Sequence, residues 1–146
     1  HWSLPSLATD FGFDYETLVV TQDVQFSDDK MAWIYSACDV TLGIGMSEGF
    51  GYPIFESLAC GTPCIHGNFH GGAYEHMDMD MLVTPWMLRL EGVYNSVRPV
   101  HRVDDWVRTI EYLPKKNGYS LLPPHLDWNN LWPSWSEWFT KGLPIG

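Results

Sequence analysis

The chain is 146 residues long, with 18 acidic against 8 basic side chains and a formal net charge of −10. An acidic field of that size argues against nucleic-acid or anionic-membrane partners, both of which require a basic patch. Hydrophobic residues at 45% and aromatics at 15% supply a core for one ordinary domain, taken as residues 1–146. No run approaches the eighteen or so apolar residues of a membrane span, and no basic-then-apolar leader opens the chain.

In chain order, hydrophobic periodicity predicts a strand at 18–21, a helix at 28–37, a strand at 40–44 and a helix at 53–60. A strand at 64–66, a short helix at 73–77, a strand at 81–84 and a helix at 104–113 follow. Ser27 or Asp28 is expected to cap the first helix and Asp104 the late one, by side-chain oxygen to free amides. Alternation of this kind implies an α/β fold, a Rossmann-like parallel sheet with helices on both faces and right-handed crossovers. Residues 85–102 read as an irregular excursion broken by Pro85, Gly92 and Pro99. The tail at 120–146 is Trp-rich, with Leu131, Trp135 and Trp138 at helical spacing and Pro133 tolerable only in a first turn.

Chemistry concentrates in Ser47-Glu48-Gly49-Phe50-Gly51-Tyr52-Pro53-Ile54-Phe55-Glu56, where two carboxylates eight positions apart flank a glycine loop. Pro53 suits the first helical position and Gly61 the residue just past the end. A loop without side chains bares backbone amides, and the helix start adds more N–H groups with partial positive charge. That combination seats a phosphate or another anion. Glu56, expected to face the same crevice, can accept hydrogen bonds from paired hydroxyls such as those of a ribose, and Glu48, on the other side of the glycines, from a second polyol. Phosphate between two hydroxyl-bearing groups describes a nucleotide sugar. The plainer alternative is that Glu56 answers only the helix dipole and the glycines are turn chemistry. A dinucleotide fingerprint fails, because Gly49 comes one residue late after Gly43-Ile44-Gly45.

The run from Glu48 to Glu56, continued by Ser57-Leu58-Ala59-Cys60-Gly61-Thr62-Pro63, resembles the E-x7-E signature of retaining glycosyltransferases with the GT-B fold, family 4, the group 1 glycosyl transferases. Lys30 to Val40 resembles the family's helix ending in Y-x-x-A-D-V, and Gly71-Gly72-Ala73-Tyr74-Glu75 its G-G-x-x-E loop. Val103 to Leu113 fits its late helix, and Asp127-Trp128 weakly resembles the start of its C-terminal one. The resemblance implies that Glu56 binds the ribose of the donor and Glu48, as the catalytic residue, the transferred sugar. The amides of Gly49, Phe50 and Gly51 would lie against sugar and diphosphate, with Tyr52, Pro53 and Ile54 completing the donor-binding set. It further implies transfer from a nucleotide-diphosphate sugar, such as a UDP-sugar, to an acceptor hydroxyl with retention, without cofactor or metal. The chain then corresponds to a partial second half of a GT-B fold. The acceptor domain, the first strands and an Arg…Lys clamp would be absent, and the isolated fragment inactive in a cytoplasmic setting. A non-catalytic nucleotide- or sugar-binding module is the alternative.

Three cysteines, Cys38, Cys60 and Cys64, are odd in number, fall in segments read as buried and are expected reduced. His66, His70, Glu75 and His76 are the right types for metal ligands, but their spacing fits no zinc pattern, and no metal site is expected. His66 is expected to end a strand and point into the donor crevice. Tyr35, Tyr74 and Trp33 are read as packing residues. Eight tryptophans exceed what one small core hides, so exposed aromatics and self-association are expected.

Overall fold

A computed structural model describes residues 4–12, 25–45, 47–69, 71–113 and 120–141. The strand expected at 18–21 lies outside the described residues. The order is α1 Leu4–Asp10, α2 Asp28–Ala37, β1 Thr41–Gly43, α3 Tyr52–Ala59, β2 Cys64–Gly67, α4 Gly71–His76, β3 Leu82–Val83, β4 Met87–Glu91, β5 Ser96–Val100, α5 Val103–Tyr112 and α6 Trp128–Lys141. Strands β1, β2 and β3 form a parallel sheet in that order, with Thr41 opposite Cys64, Leu42 opposite Ile65 and His66 opposite Leu82. Helices α3 and α5 flank it, giving the α/β class that the alternation implied.

The core sits where α3 covers β1 and β2. Ile54, Phe55 and Leu58 share one helical face and meet Cys64, Ala73, Met77, Met81 and Leu82. Leu121, Leu122 and Leu126 close this cluster from the C-terminal side, and the Leu121 amide donates to the Leu58 carbonyl at 2.8 Å. Helix α3 stops in a Schellman turn. Gly61, at φ +73°, donates to the Leu58 carbonyl, and the Thr62 amide reaches the Ser57 carbonyl, both at 3.0 Å. The Gly61 expectation is thus met, and Pro53 falls in the first helical turn.

A buried hydroxyl network locks these elements together. The Ser57 hydroxyl donates to the Thr62 carbonyl at 2.9 Å and sits 2.7 Å from the Thr41 hydroxyl. Thr62 in turn donates to the Tyr35 carbonyl at 2.7 Å. Helix α2, strand β1 and the end of α3 are joined because each polar group removed from water here has a partner. The cysteines are thiols, Cys64 buried and Cys38 and Cys60 only half-buried.

Four expectations need correction. Residues 85–102 are a regular antiparallel hairpin of β4 and β5, reversed by Gly92 at φ +70° and Asn95 at φ +50°. Pro99 is tolerated there because a two-stranded ribbon consists of edge strands, which can forgo one ladder bond. No side-chain oxygen caps α2 or α5; Ser27 and Arg102 hold the N-cap positions, and Asp28, Asp29, Asp104 and Asp105 instead place charge in the first turns. Pro133 lies inside α6 rather than in its first turn. Trp33 and Tyr74 are exposed rather than packed. Exposed aromatics are abundant, as composition suggested, and include Trp86, Trp128, Trp132, Trp135 and Trp138.

Leu58 is fully buried at the centre of this arrangement. Leu58→Ala should therefore lower the unfolding free energy by about 3 kcal/mol, measured by urea denaturation. An effect near zero would show that α3 does not carry the core.

Candidate functional site

The loop between β1 and α3 is positioned by glycines at both ends. Gly51, at φ +82°, is the N-cap of α3, a left-handed conformation that side chains rarely adopt. Across from it stands the start of α4, where Gly71 has φ +69°. A methyl group on Gly71 would collide with the Gly49 carbonyl oxygen and come within 2.9 Å of that of Glu48. One on Gly72 would lie 2.5 Å from the Phe50 carbonyl oxygen. Three successive carbonyls thus back onto the Gly71-Gly72 turn. A trans peptide points its N–H opposite to its C=O, so the amides of Gly49, Phe50 and Gly51 face away from the turn.

The helix start contributes fewer amides than a generic α3 would. Pro53 has none, and the Ile54 amide is taken by the Gly51 carbonyl at 3.0 Å. The loop amides, rather than a long row of helix amides, therefore dominate the anion-binding capacity. The Phe50 ring stacks on Phe55 with centroids 4.6 Å apart, and it leans on Tyr52 and His76. Phe50 is thereby an anchor that fixes the loop against the core.

The two carboxylates border separate cavities, not the single crevice expected. Glu48 lines a narrow cleft with Ser47, His66, Phe69 and Pro99, and its side chain folds over Gly45, where a methyl group would lie 2.7 Å from the carboxylate. Glu56 lies on the α3 face toward α2 and accepts a hydrogen bond from the Tyr35 hydroxyl at 3.0 Å. Its groove, of about 260 Å³, is also lined by Asp28, Met31, Ala32, Ala59 and Cys60. The geometric reason is the turn at Gly51, which carries the chain into a helix whose fifth residue faces α2. Tyr52 and Pro53 are exposed at the loop's end, whereas Ile54 is buried in the core.

Tyr35, read from sequence as packing, instead donates to one of the two candidate carboxylates. Burial raises its phenol well above the ordinary value, and the bond to the Glu56 carboxylate raises it further. The hydroxyl therefore stays protonated and fixes the carboxylate. Its signal was only its place late in α2, where it could meet α3.

His66 is the penultimate residue of β2, one short of the strand end expected for it, and is buried, with Nδ1 2.8 Å from the carbonyl of the following Gly67 and Nε2 without a partner. Gly43 makes room for it, since a methyl group there would collide with the imidazole. His101 stands beside Gly67 and packs edge-on against Trp106. His70 lies outside the described residues. His76 and His125 share a hydrogen bond at 3.0 Å, and no group of three or more metal-ligating side chains occurs among the described residues. No described helix is long and apolar enough to cross a membrane.

Two outcomes are expected. Gly71→Ala forces both a left-handed alanine and a collision with the Gly49 carbonyl, so it should cost about 2 kcal/mol or more in urea denaturation; an unchanged midpoint would mean the two loops are not in contact. Burial lowers the His101 pKa from its ordinary 6.5, with His66 acting in the same direction and the Thr84 carbonyl and Asp105 opposing. The folded chain thus favours neutral His101, a contribution present in full above pH 6.5 and lost as pH falls through the lower folded value. Unfolding midpoints should fall between neutral pH and about 5, and less steeply in His101→Gln.

Residues 18–80 match the family model for glycosyl transferases group 1. No curated protein and no solved structure matches the chain. The matched stretch runs through α2, β1, the glycine loop with both carboxylates, α3, β2 and α4, so the segment that builds this site is similar to group 1 glycosyl transferases.

Proposed function

We propose that the loop from Glu48 to Gly51 and the start of α3 bind the diphosphate of a nucleotide sugar for retaining transfer of its glycosyl group to an acceptor hydroxyl. The matched family assigns glycosyl transfer in general. The single observation that carries the finer reading is the backing of three loop carbonyls onto Gly71 and Gly72, which turns the amides of Gly49, Phe50 and Gly51 outward together. Outward amides in succession form an anion-binding concavity without any basic side chain. In this reading such amides offset the chain's net charge of −10 where the diphosphate sits.

In this reading the two carboxylates take different parts of the ligand. The sugar sits on the Glu48 side, against the cleft bordered by His66, and the ribose sits on the Glu56 side, in the groove toward α2. The Tyr35 hydroxyl orients the Glu56 carboxylate so that its remaining lone pairs meet paired hydroxyls. Tyr52, Pro53 and Ile54 set the helix start beneath the phosphates. Glu48 touches the transferred ring and is the catalytic residue of this reading. The transition state develops charge on the departing diphosphate, and preorganised amides stabilise it there. No metal or cofactor enters this scheme.

Calorimetric titration tests it with uridine diphosphate and with NAD. Binding of the former should weaken at least tenfold in Glu56→Ala and more modestly in Tyr35→Phe, which keeps the ring but loses the orienting hydroxyl. Binding of NAD alone, or uridine diphosphate binding indifferent to both changes, would overturn the assignment.

A further inference from the structure

Beyond β3 the sheet edge carries a third cavity, of about 460 Å³, that shares no lining residue with the two bordered by Glu48 and Glu56. Its volume lies within the range of roughly 300–1,000 Å³ typical of small-ligand sites. One wall is the segment that leaves β3, with Thr84 and Trp86, and the other is the first turns of α5, with Asp105, Arg108 and Thr109. Ligands of open α/β sheets occupy this position beyond the carboxyl ends of parallel strands.

We propose that this cavity is a saccharide-binding site that takes a neutral pyranose ring. Trp86 is more than half exposed, and its backbone is held by a 2.8 Å hydrogen bond from its amide to the Val100 carbonyl. The Arg102 guanidinium lies over its ring at 4.8 Å from the centroid, which pins the indole as a plate. A pyranose has one apolar C–H face to lay on such a plate and hydroxyls around its rim.

The opposite wall supplies the matching polar groups. Arg108 and Asp105 are 3.5 Å apart at their nearest atoms, a loose pairing that leaves carboxylate lone pairs and guanidinium N–H groups available. Adjacent hydroxyls of one sugar fit this pair, one donating to the carboxylate while its neighbour accepts from the guanidinium. The Thr109 hydroxyl donates to the Asp105 carbonyl at 2.8 Å, so its oxygen remains an acceptor. The charges select against other ligand classes. Asp105 disfavours an anion, Arg108 disfavours a cation, and a purely apolar guest would leave both groups desolvated without partners.

The proposal does not rest on the donor-site reading, and its test separates the two. The full 146-residue chain, labelled with 15N, is titrated in the millimolar range with a panel of methyl pyranosides of glucose, galactose, mannose, xylose and N-acetylglucosamine, and with sorbitol as an open-chain control. The Trp86 indole resonance, assigned by its disappearance in Trp86→Phe, should shift saturably with at least one pyranoside and not with sorbitol. Asp105→Asn and Arg108→Met, both at side chains outside the core, should each weaken that shift at least about fivefold, and Glu56→Ala should leave it unchanged. Silence of the Trp86 signal across the panel, an equal response to sorbitol, or a response untouched by both α5 changes would overturn the proposal.

Discussion

The approach of the loop carbonyls at 48–50 to Gly71 and Gly72 is the contact on which the rest of the site depends. The Gly71-Gly72 turn has no room for a side chain at this point, so two segments more than twenty residues apart constrain each other's backbone. The requirement is glycine itself, because Gly71 and Gly51 both occupy left-handed conformations that only a residue without a Cβ takes up freely. The return is a loop whose polar backbone is sorted, carbonyls inward and amides outward. A surface loop of ordinary composition would present both kinds of group and would bind an anion poorly.

That sorted loop needs a rigid base, which α3 provides. Its apolar face is buried through Ile54, Phe55 and Leu58, and its end is fixed by the Schellman turn and by the Ser57, Thr62 and Thr41 hydroxyls. Because the same network reaches the Tyr35 carbonyl, α2 is held at a set distance from α3. The hydroxyl of the same tyrosine then reaches Glu56. One residue thus ties the packing of two helices to the orientation of a site carboxylate.

The sheet edge carries different chemistry on neighbouring strands. At the end of β2 the buried His66 has no partner for Nε2, and His101 none for Nδ1. His66 lines the Glu48 cleft, and burial favours the neutral form of His101. The acidic charge of the chain is uneven as well, since Arg89, Arg98, Arg102 and Arg108 cluster along the hairpin and α5. The polar fork of Asp105 and Arg108 belongs to this mixed region, whereas the loop amides serve a surface with little positive charge.

Local physics made much of this legible in the chain itself. Alternating apolar runs marked every described parallel strand, and the helix at 28–37 is α2 Asp28–Ala37 to the residue. Proline near the start and glycine past the end bounded α3, because those residues act through their own backbone torsions. The hairpin at 87–100 escaped notice since proline and glycine read as breakers unless the edge status of the strands is known. Side-chain capping failed similarly: Ser27 and Asp104 have the right chemistry, but cap geometry depends on the path of the preceding chain. Tertiary structure alone decided that Glu48 and Glu56 open onto different cavities, that Tyr35 serves Glu56, and that Trp86 meets α5. Spacing along a chain sets which groups are available, whereas direction in space is set by how helices pack, and packing is a property of residues far apart in sequence.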